Sequence, residues 1–310
     1  MIVKKPKQVN LFIIGFPKAG TTSYAHYLNQ HPDIELARGK EPHFFSSDFH
    51  KESDIMHPPG KYFQIRTLKQ YQELFKQEGK KYYLDASTSY VYSKVAIRKI
   101  YAYNQQAKII VMLRNPIAWV DSWYNYLKFQ SEENQSILAK AWASETSRIQ
   151  GENIPSLVKS PTRLYYSYIS NYCIHLRRLY KTFPGKQVQV LLLEKLQADP
   201  NSVFNSTLQF LGLPDFRPDF IIKNTHQIPR FRFLKNLADK TVRSTLIKKI
   251  IPKEKEEAYR NFYRLIFAKK EKRSGIMDRD LRRVLEKHFT PMINELSELL
   301  KDQDLHNWWF

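Results

Sequence analysis

Five residues have side chains whose types and spacing could do chemistry together: Lys18, Glu41, His43, Arg114 and Ser122. Lys18 lies in NLFIIGFPKAGTTSYAHYLNQHP (10–32), where an apolar run meets a turn with one lysine and two glycines. A helix then opens on Thr21, Thr22 and Ser23. A strand, a glycine turn and a helix start aim backbone N–H groups at whatever sits above the strand end, which suits phosphate or another oxyanion. Lys18 adds a mobile cation, and the hydroxyls add further donors. The plain alternative is a tight turn with capping hydroxyls.

The order of residues fits two familiar nucleotide sites poorly. An ATPase or GTPase loop places its lysine behind the second glycine and needs an acidic metal ligand at a later strand end. Here Lys18 precedes Gly20, and the strand in IIVMLRNP ends in an arginine. The GxGxxG of a dinucleotide site is absent.

Arg114 opens RNPIAWVDSWYNY, with Ser122 two helical turns later. A guanidinium forks onto phosphate oxygens, so a second anionic group is expected there, although a carboxylate or a helix end could equally satisfy it. Two anion sites at neighbouring strand ends suggest a nucleoside with phosphates on both sides. RGKEPHFF (38–45) then brings Glu41 and His43 close to the first loop. A carboxylate within hydrogen-bond reach of an acceptor hydroxyl can take its proton. The alternative is a polar loop anchored by its two phenylalanines.

The elements that must position these residues follow from hydrophobic patterning. Nearly continuous apolar runs at 11–16, 81–87, 107–114 and 186–196 predict buried strands, and helical patterns follow at 21–31, about 93–103 and from Pro116. This alternation predicts an α/β fold around a mainly parallel sheet. Long excursions near 43–70, 130–162 and 216–234 are expected over one sheet edge, and three basic helices after about residue 236. One domain over 1–310 is the expected division. The lone Cys173 lies in a helical pattern and is expected in the core.

A formal charge of +20 favours polyanionic partners. No apolar run reaches membrane-spanning length and the first residues carry no signal pattern, so a cytoplasmic setting is expected. A rival reading is a basic binding module for nucleic acid or another polyanion, with KTVRSTLIKKIIPKEKEEAYR as its face.

Taken together, these motifs resemble the sulfotransferases that use 3′-phosphoadenosine-5′-phosphosulfate (PAPS), in the branch carrying a KEPHFF segment, similar to bacterial and heparan-sulfate enzymes. GFPKAGTTSYAHYLNQHPDI resembles that family's 5′-phosphosulfate loop, VMLRNPIAWVDSWYNY its 3′-phosphate strand and helix, and the stretch from Tyr180 to Leu213 its later strand, acidic turn and helix. The resemblance implies a P-loop-like three-layer α/β/α fold with a helical C-terminal part. It implies PAPS as donor, its bisphosphate (PAP) as product, and no metal.

By position, Lys18 would contact the phosphosulfate, and Ala19, Gly20, Thr21, Thr22 and Ser23 would cradle the 5′ end. Arg114 and Ser122 would bind the 3′-phosphate, with Tyr166 approaching the adenine and Arg230 clamping the 3′-phosphate from a covering loop. Glu41 would be the base, with His43 orienting it or sharing the role. The acceptor would be a hydroxyl, in preference to an amine, on a small-molecule natural product, with a carbohydrate as the alternative. Two departures stand out: Trp119 where relatives often carry arginine or another polar residue, and LDASTSY where they commonly show GEASPxY, which makes Asp85 a structural candidate.

Overall fold

The computed structural model describes residues 8–39, 41–220, 227–229, 268–270, 277–301, 305 and 308. Its centre is a five-stranded parallel sheet of β1 (Leu11–Gly15), β2 (Ile34–Leu36), β3 (Tyr82–Ala86), β4 (Lys108–Leu113) and β5 (Val188–Leu192), in the order β2-β3-β1-β4-β5. Every residue of β1 and β3 is buried. Such strands need apolar side chains on both faces, which LFIIG of β1 and IIVML of β4 supply, whereas YYLDA of β3 buries one carboxyl, Asp85. Because the strands are parallel, their C-terminal ends share one edge, where ligands bind in open α/β sheets.

Helices follow the strands. They are α1 (Thr21–Leu28), α2 (Ser47–Met56), α3 (Leu68–Gln72), α4 (Ala96–Tyr103), α5 (Pro116–Phe129), α6 (Leu138–Ala143), α7 (Glu145–Ile149), α8 (Tyr166–Ser170), α9 (Tyr172–Tyr180), α10 (Leu193–Ala198) and α11 (Pro200–Leu211). α5 starts where expected: Asn115 accepts the Ala118 N–H at 3.1 Å, and Pro116 sits in the first turn, where its missing N–H costs nothing. A short antiparallel pair, β6 (Gln227–Pro229) and β7 (Ala268–Lys270), precedes α12 (Arg279–Leu299), which packs on α9 and α5. Cys173 is buried, as expected.

Three expectations are corrected, and one strand, β2, was not foreseen. The segment expected as a surface excursion at 43–70 holds α2, which buries Phe49, His50 and Ser53. β2 is an edge strand of three residues, too short to show a period in sequence. The strand expected over 186–196 ends at Leu192, where LEKLQA turns into α10. The segment expected as three helices contains β7, and of its helices α12 is described, while the remainder lies outside the described residues.

Candidate active site

The Lys18 loop leaves β1 and enters α1 through two left-handed backbone positions, Lys18 at φ 64° and Gly20 at φ 82°. Only glycine adopts the second without strain, and a Cβ there would lie 2.7 Å from Leu193 Cδ1. Three contacts fix the loop from outside. Trp119 Nε1 donates to the Pro17 carbonyl at 2.6 Å, Arg114 Nη1 donates to the Lys18 carbonyl at 3.2 Å, and the Lys18 ammonium lies 5.1 Å from the centre of the Tyr126 ring. The Trp119 substitution noted in the sequence therefore supports the loop through its indole N–H.

Arg114 is itself held by its backbone: its carbonyl accepts the Tyr172 hydroxyl at 2.9 Å. The N–H of Asn115 donates to Glu194 Oε1 at 2.9 Å, so the acid of LLLEKL pins the end of β4. Ser122 is buried on α5, and its hydroxyl has no hydrogen-bond partner among the described residues. A buried orphan hydroxyl is uncommon and asks for a ligand or water.

Glu41 and His43 come together after β2. Glu41 Oε2 is 3.3 Å from His43 Nε2, and both residues have positive φ, at 56° and 53°. His43 is clamped on three sides. Its Nδ1 is 2.6 Å from Ser89 Oγ, its N–H donates to Ser87 Oγ at 3.1 Å, and its carbonyl accepts His50 Nε2 at 2.8 Å. Phe63 closes a fourth side, edge-on to the His43 ring at 5.2 Å.

Beneath this pair lies Asp85, fully buried. It accepts from Tyr71 Oη (2.7 Å), Tyr90 Oη (2.8 Å) and Ser87 Oγ (2.7 Å). Burial raises its carboxyl above the usual range, and the three donors offset part of that rise. Asp85 thus acts through Ser87 on the His43 backbone, which fits the structural role suggested by its sequence context.

A cavity of about 130 Å³ opens beside the pair. Ala25, Leu36, Ala37, Pro42 and Ala86 line it, with Thr21 and Thr22 at one side and Glu41 in its wall. Among the described residues, no group of three or more His, Cys, Asp or Glu side chains is placed to hold a metal.

Lys18 through Ser23, Arg114 and Ser122 gather at one sheet edge, with Glu41 and His43 beside them. Tyr166 does not join them. It is fully buried, and its hydroxyl donates to Glu133 Oε2 at 2.7 Å, within the buried pair that Glu133 forms with Arg148. Burial and that carboxylate bind it into the core. Arg230 lies outside the described residues.

Sequence reasoning missed Tyr126, Ser87, Ser89, Glu132 and Arg163. Arg163 donates to Glu132 through Nε (2.6 Å) and Nη2 (3.1 Å), and the Lys159 ammonium is 3.4 Å from the same carboxylate. Burial alone would raise the Glu132 carboxyl, but these two cations hold it below the usual range. The Trp119, Trp123, Tyr126 spacing in AWVDSWYNYLK was the one available signal, and it also fits an ordinary buried helix face.

Comparison with known proteins identifies the family. The sulfotransferase domain model matches residues 8–302. The chain is 26% identical over 205 residues to mouse heparan sulfate glucosamine 3-O-sulfotransferase 3B1, covering 65% of this chain and 45% of that protein. It is 23% identical over 210 residues to the Xenopus tropicalis bifunctional heparan sulfate N-deacetylase/N-sulfotransferase 1, covering 66% of this chain and 22% of that protein. The chain thus spans less than half the length of these curated relatives. A sulfotransferase from Alicyclobacillus acidocaldarius superposes with a TM-score of 0.71 at 27% identity, covering 97% of this chain and 99% of that one. The chain belongs to the sulfotransferase family.

Proposed function

We propose that this chain transfers the sulfuryl group of PAPS to a hydroxyl of a small molecule. The observation that carries the reading is the arrangement at the sheet edge: the Lys18 loop, tied to Arg114 at 3.2 Å, beside a Glu41–His43 pair at 3.3 Å. The donor set fits a nucleotide carrying an anion at each end. Gly20 lets the loop take the left-handed turn into α1 with Leu193 packed against it, Arg114 adds a fork, and Ser122 has an uncommitted buried hydroxyl. PAPS would supply an activated S–O bond. The acceptor oxygen attacks sulfur, the bridging S–O bond breaks, and its electron pair stays on the departing phosphate. Glu41 takes the acceptor proton, with His43 fixing the carboxylate through their contact. Lys18 and the α1 amides stabilise the charge that develops on the phosphate.

The cavity of about 130 Å³ beside Glu41, lined by Ala25, Leu36, Ala37, Pro42 and Ala86 together with Thr21, Thr22 and His26, supports a small acceptor. A carbohydrate acceptor is the second reading, supported by the heparan sulfate relatives and the +20 charge. The family match over residues 8–302 supports a single domain. Radiolabelled sulfuryl transfer from PAPS to benzyl alcohol, cyclohexanol and N-acetylglucosamine-bearing oligosaccharides tests both readings. The first predicts labelling of the alcohols, lost in Glu41→Gln. Labelling of the oligosaccharides alone contradicts the small-molecule acceptor, and no labelling of any acceptor contradicts sulfuryl transfer to both classes.

A further inference from the structure

Three aromatic residues run along α5 at helical spacing, and each is tied to something outside the helix. Trp119 and Trp123 lie nearly parallel (6.0 Å between centres, 20°), as do Trp123 and Tyr126 (5.2 Å, 20°). At the loop side, Trp119 Nε1 donates to Pro17 and the Tyr126 ring faces the Lys18 ammonium. At the other side, Trp123 Nε1 donates to the Arg163 carbonyl at 2.9 Å, and the Arg163 guanidinium lies 4.9 Å from the Trp123 ring centre.

Arg163 cannot drift, because it is buried and forked onto Glu132. Glu132 is in turn fixed by its N–H bond to the Leu127 carbonyl at 2.9 Å, near the end of the same helix. The stack therefore has a rigid floor. Its two ends hold the residue before Lys18 by the backbone and Lys18 itself by the side chain. Lys18 needs such support, since it stands at φ 64° on a flexible four-carbon stem.

We propose that the α5 stack of Trp119, Trp123 and Tyr126, locked to the buried Arg163–Glu132 pair, is the seat that aims the Lys18 ammonium, which makes Tyr126 and Trp119 positioning residues for donor binding. What Lys18 does there rests on the sulfuryl-transfer reading, whereas where Lys18 is held does not. A lysine left to rotate would meet the phosphosulfate in a fraction of its conformers. The ring face restricts it through cation–π attraction, which Phe retains and Leu does not.

The test separates the two questions. Lysines are labelled by reductive ¹³C-methylation, and the Lys18 resonance is assigned by its absence in Lys18→Arg. Ring-current displacement should be present in wild type and Tyr126→Phe and lost in Tyr126→Leu. PAPS affinity by calorimetry should fall by about 3- to 30-fold in Tyr126→Leu and stay near wild type in Tyr126→Phe, the range expected for one cation–π contact. Trp119→Phe, which keeps a ring but removes the N–H, should weaken PAPS by about 3- to 10-fold, the loss of one hydrogen bond. Melting curves verify that each variant is folded, and an unfolded Leu variant is replaced by Tyr126→Met. An undisplaced Lys18 resonance in wild type overturns the seat, and so does one that ignores the aliphatic substitution. A displaced resonance with unchanged PAPS affinity in Tyr126→Leu overturns the positioning role. If the displacement behaves as expected and wild type binds no PAPS, the seat stands and the donor reading fails.

Discussion

Asp85→Ala is the perturbation whose consequence the structure defines most fully. The carboxylate receives three hydroxyl donors, from Tyr71, Tyr90 and Ser87 at 2.7, 2.8 and 2.7 Å, and all four residues are buried. Removing it leaves three buried O–H groups without an acceptor, each costing about 1–3 kcal/mol. Relief from burying a carboxyl offsets part of this, because burial disfavours its charged form. A net loss of about 3 kcal/mol follows, or about 5 °C in Tm for a chain of this size.

The folded state raises the Asp85 pKa, so its proton-linked stability is fully present below the unfolded value and declines as pH rises through the folded one. The difference between wild type and variant should therefore be larger in acid than at neutral pH. Because Ser87 also accepts the His43 N–H, the loss should reach His43 while sparing the Lys18 loop. Urea unfolding at several pH values, paired with PAP titration, is the assay. A loss under about 1 kcal/mol, or PAP binding that collapses in a folded variant, would refute the reasoning.

Other consequences are more local. Arg148→Ala leaves the Glu133 carboxylate, now paired at 2.6 Å in the core, with an uncompensated charge; urea unfolding should show a loss of about 3–5 kcal/mol, and a loss under about 1 would contradict a buried pair. Gly20→Ala forces a side chain onto a left-handed backbone and into Leu193, so both Tm and PAP affinity should fall; an unchanged affinity by calorimetry would show that the loop tolerates distortion. Ser122→Ala removes a buried hydroxyl with no protein partner among the described residues, so Tm without ligand should hold or rise slightly. The same variant should weaken PAP by about 10- to 100-fold, as for a hydrogen bond to a charged group, and equal affinity would remove Ser122 from the site.

Much of the frame was legible because parallel strands buried on both faces are largely apolar, and the LFIIG and IIVML runs are. Lys18, Glu41, His43 and Arg114 stood out as candidates because each sits within a few residues of a strand end, and Ser122 because it lies two helical turns after Arg114. What sequence could not show was long-range pairing. The three donors on Asp85 come from positions 71, 87 and 90, and Arg163 reaches Glu132 across 31 residues, so no local spacing announces either. Tyr166 shows the same limit: nothing near RLYYSY announces that Glu133, 33 residues earlier, accepts its hydroxyl in the core. α2 was hidden in FSSDFHKESDIMH because its buried face rests on Phe49, His50 and Ser53, two of them polar.

The central claim is that Lys18 and Arg114 hold the two ends of one nucleotide. Calorimetric titration with PAP tests it most directly, in wild type, Lys18→Ala and Arg114→Ala, each at low and high salt. The account predicts saturable one-to-one binding in wild type at both salt concentrations, weakened by each substitution, with Arg114→Ala losing more because a fork to phosphate is removed. Binding that fades with salt and ignores both substitutions would contradict it, and would leave a basic surface attracting polyanions without a site.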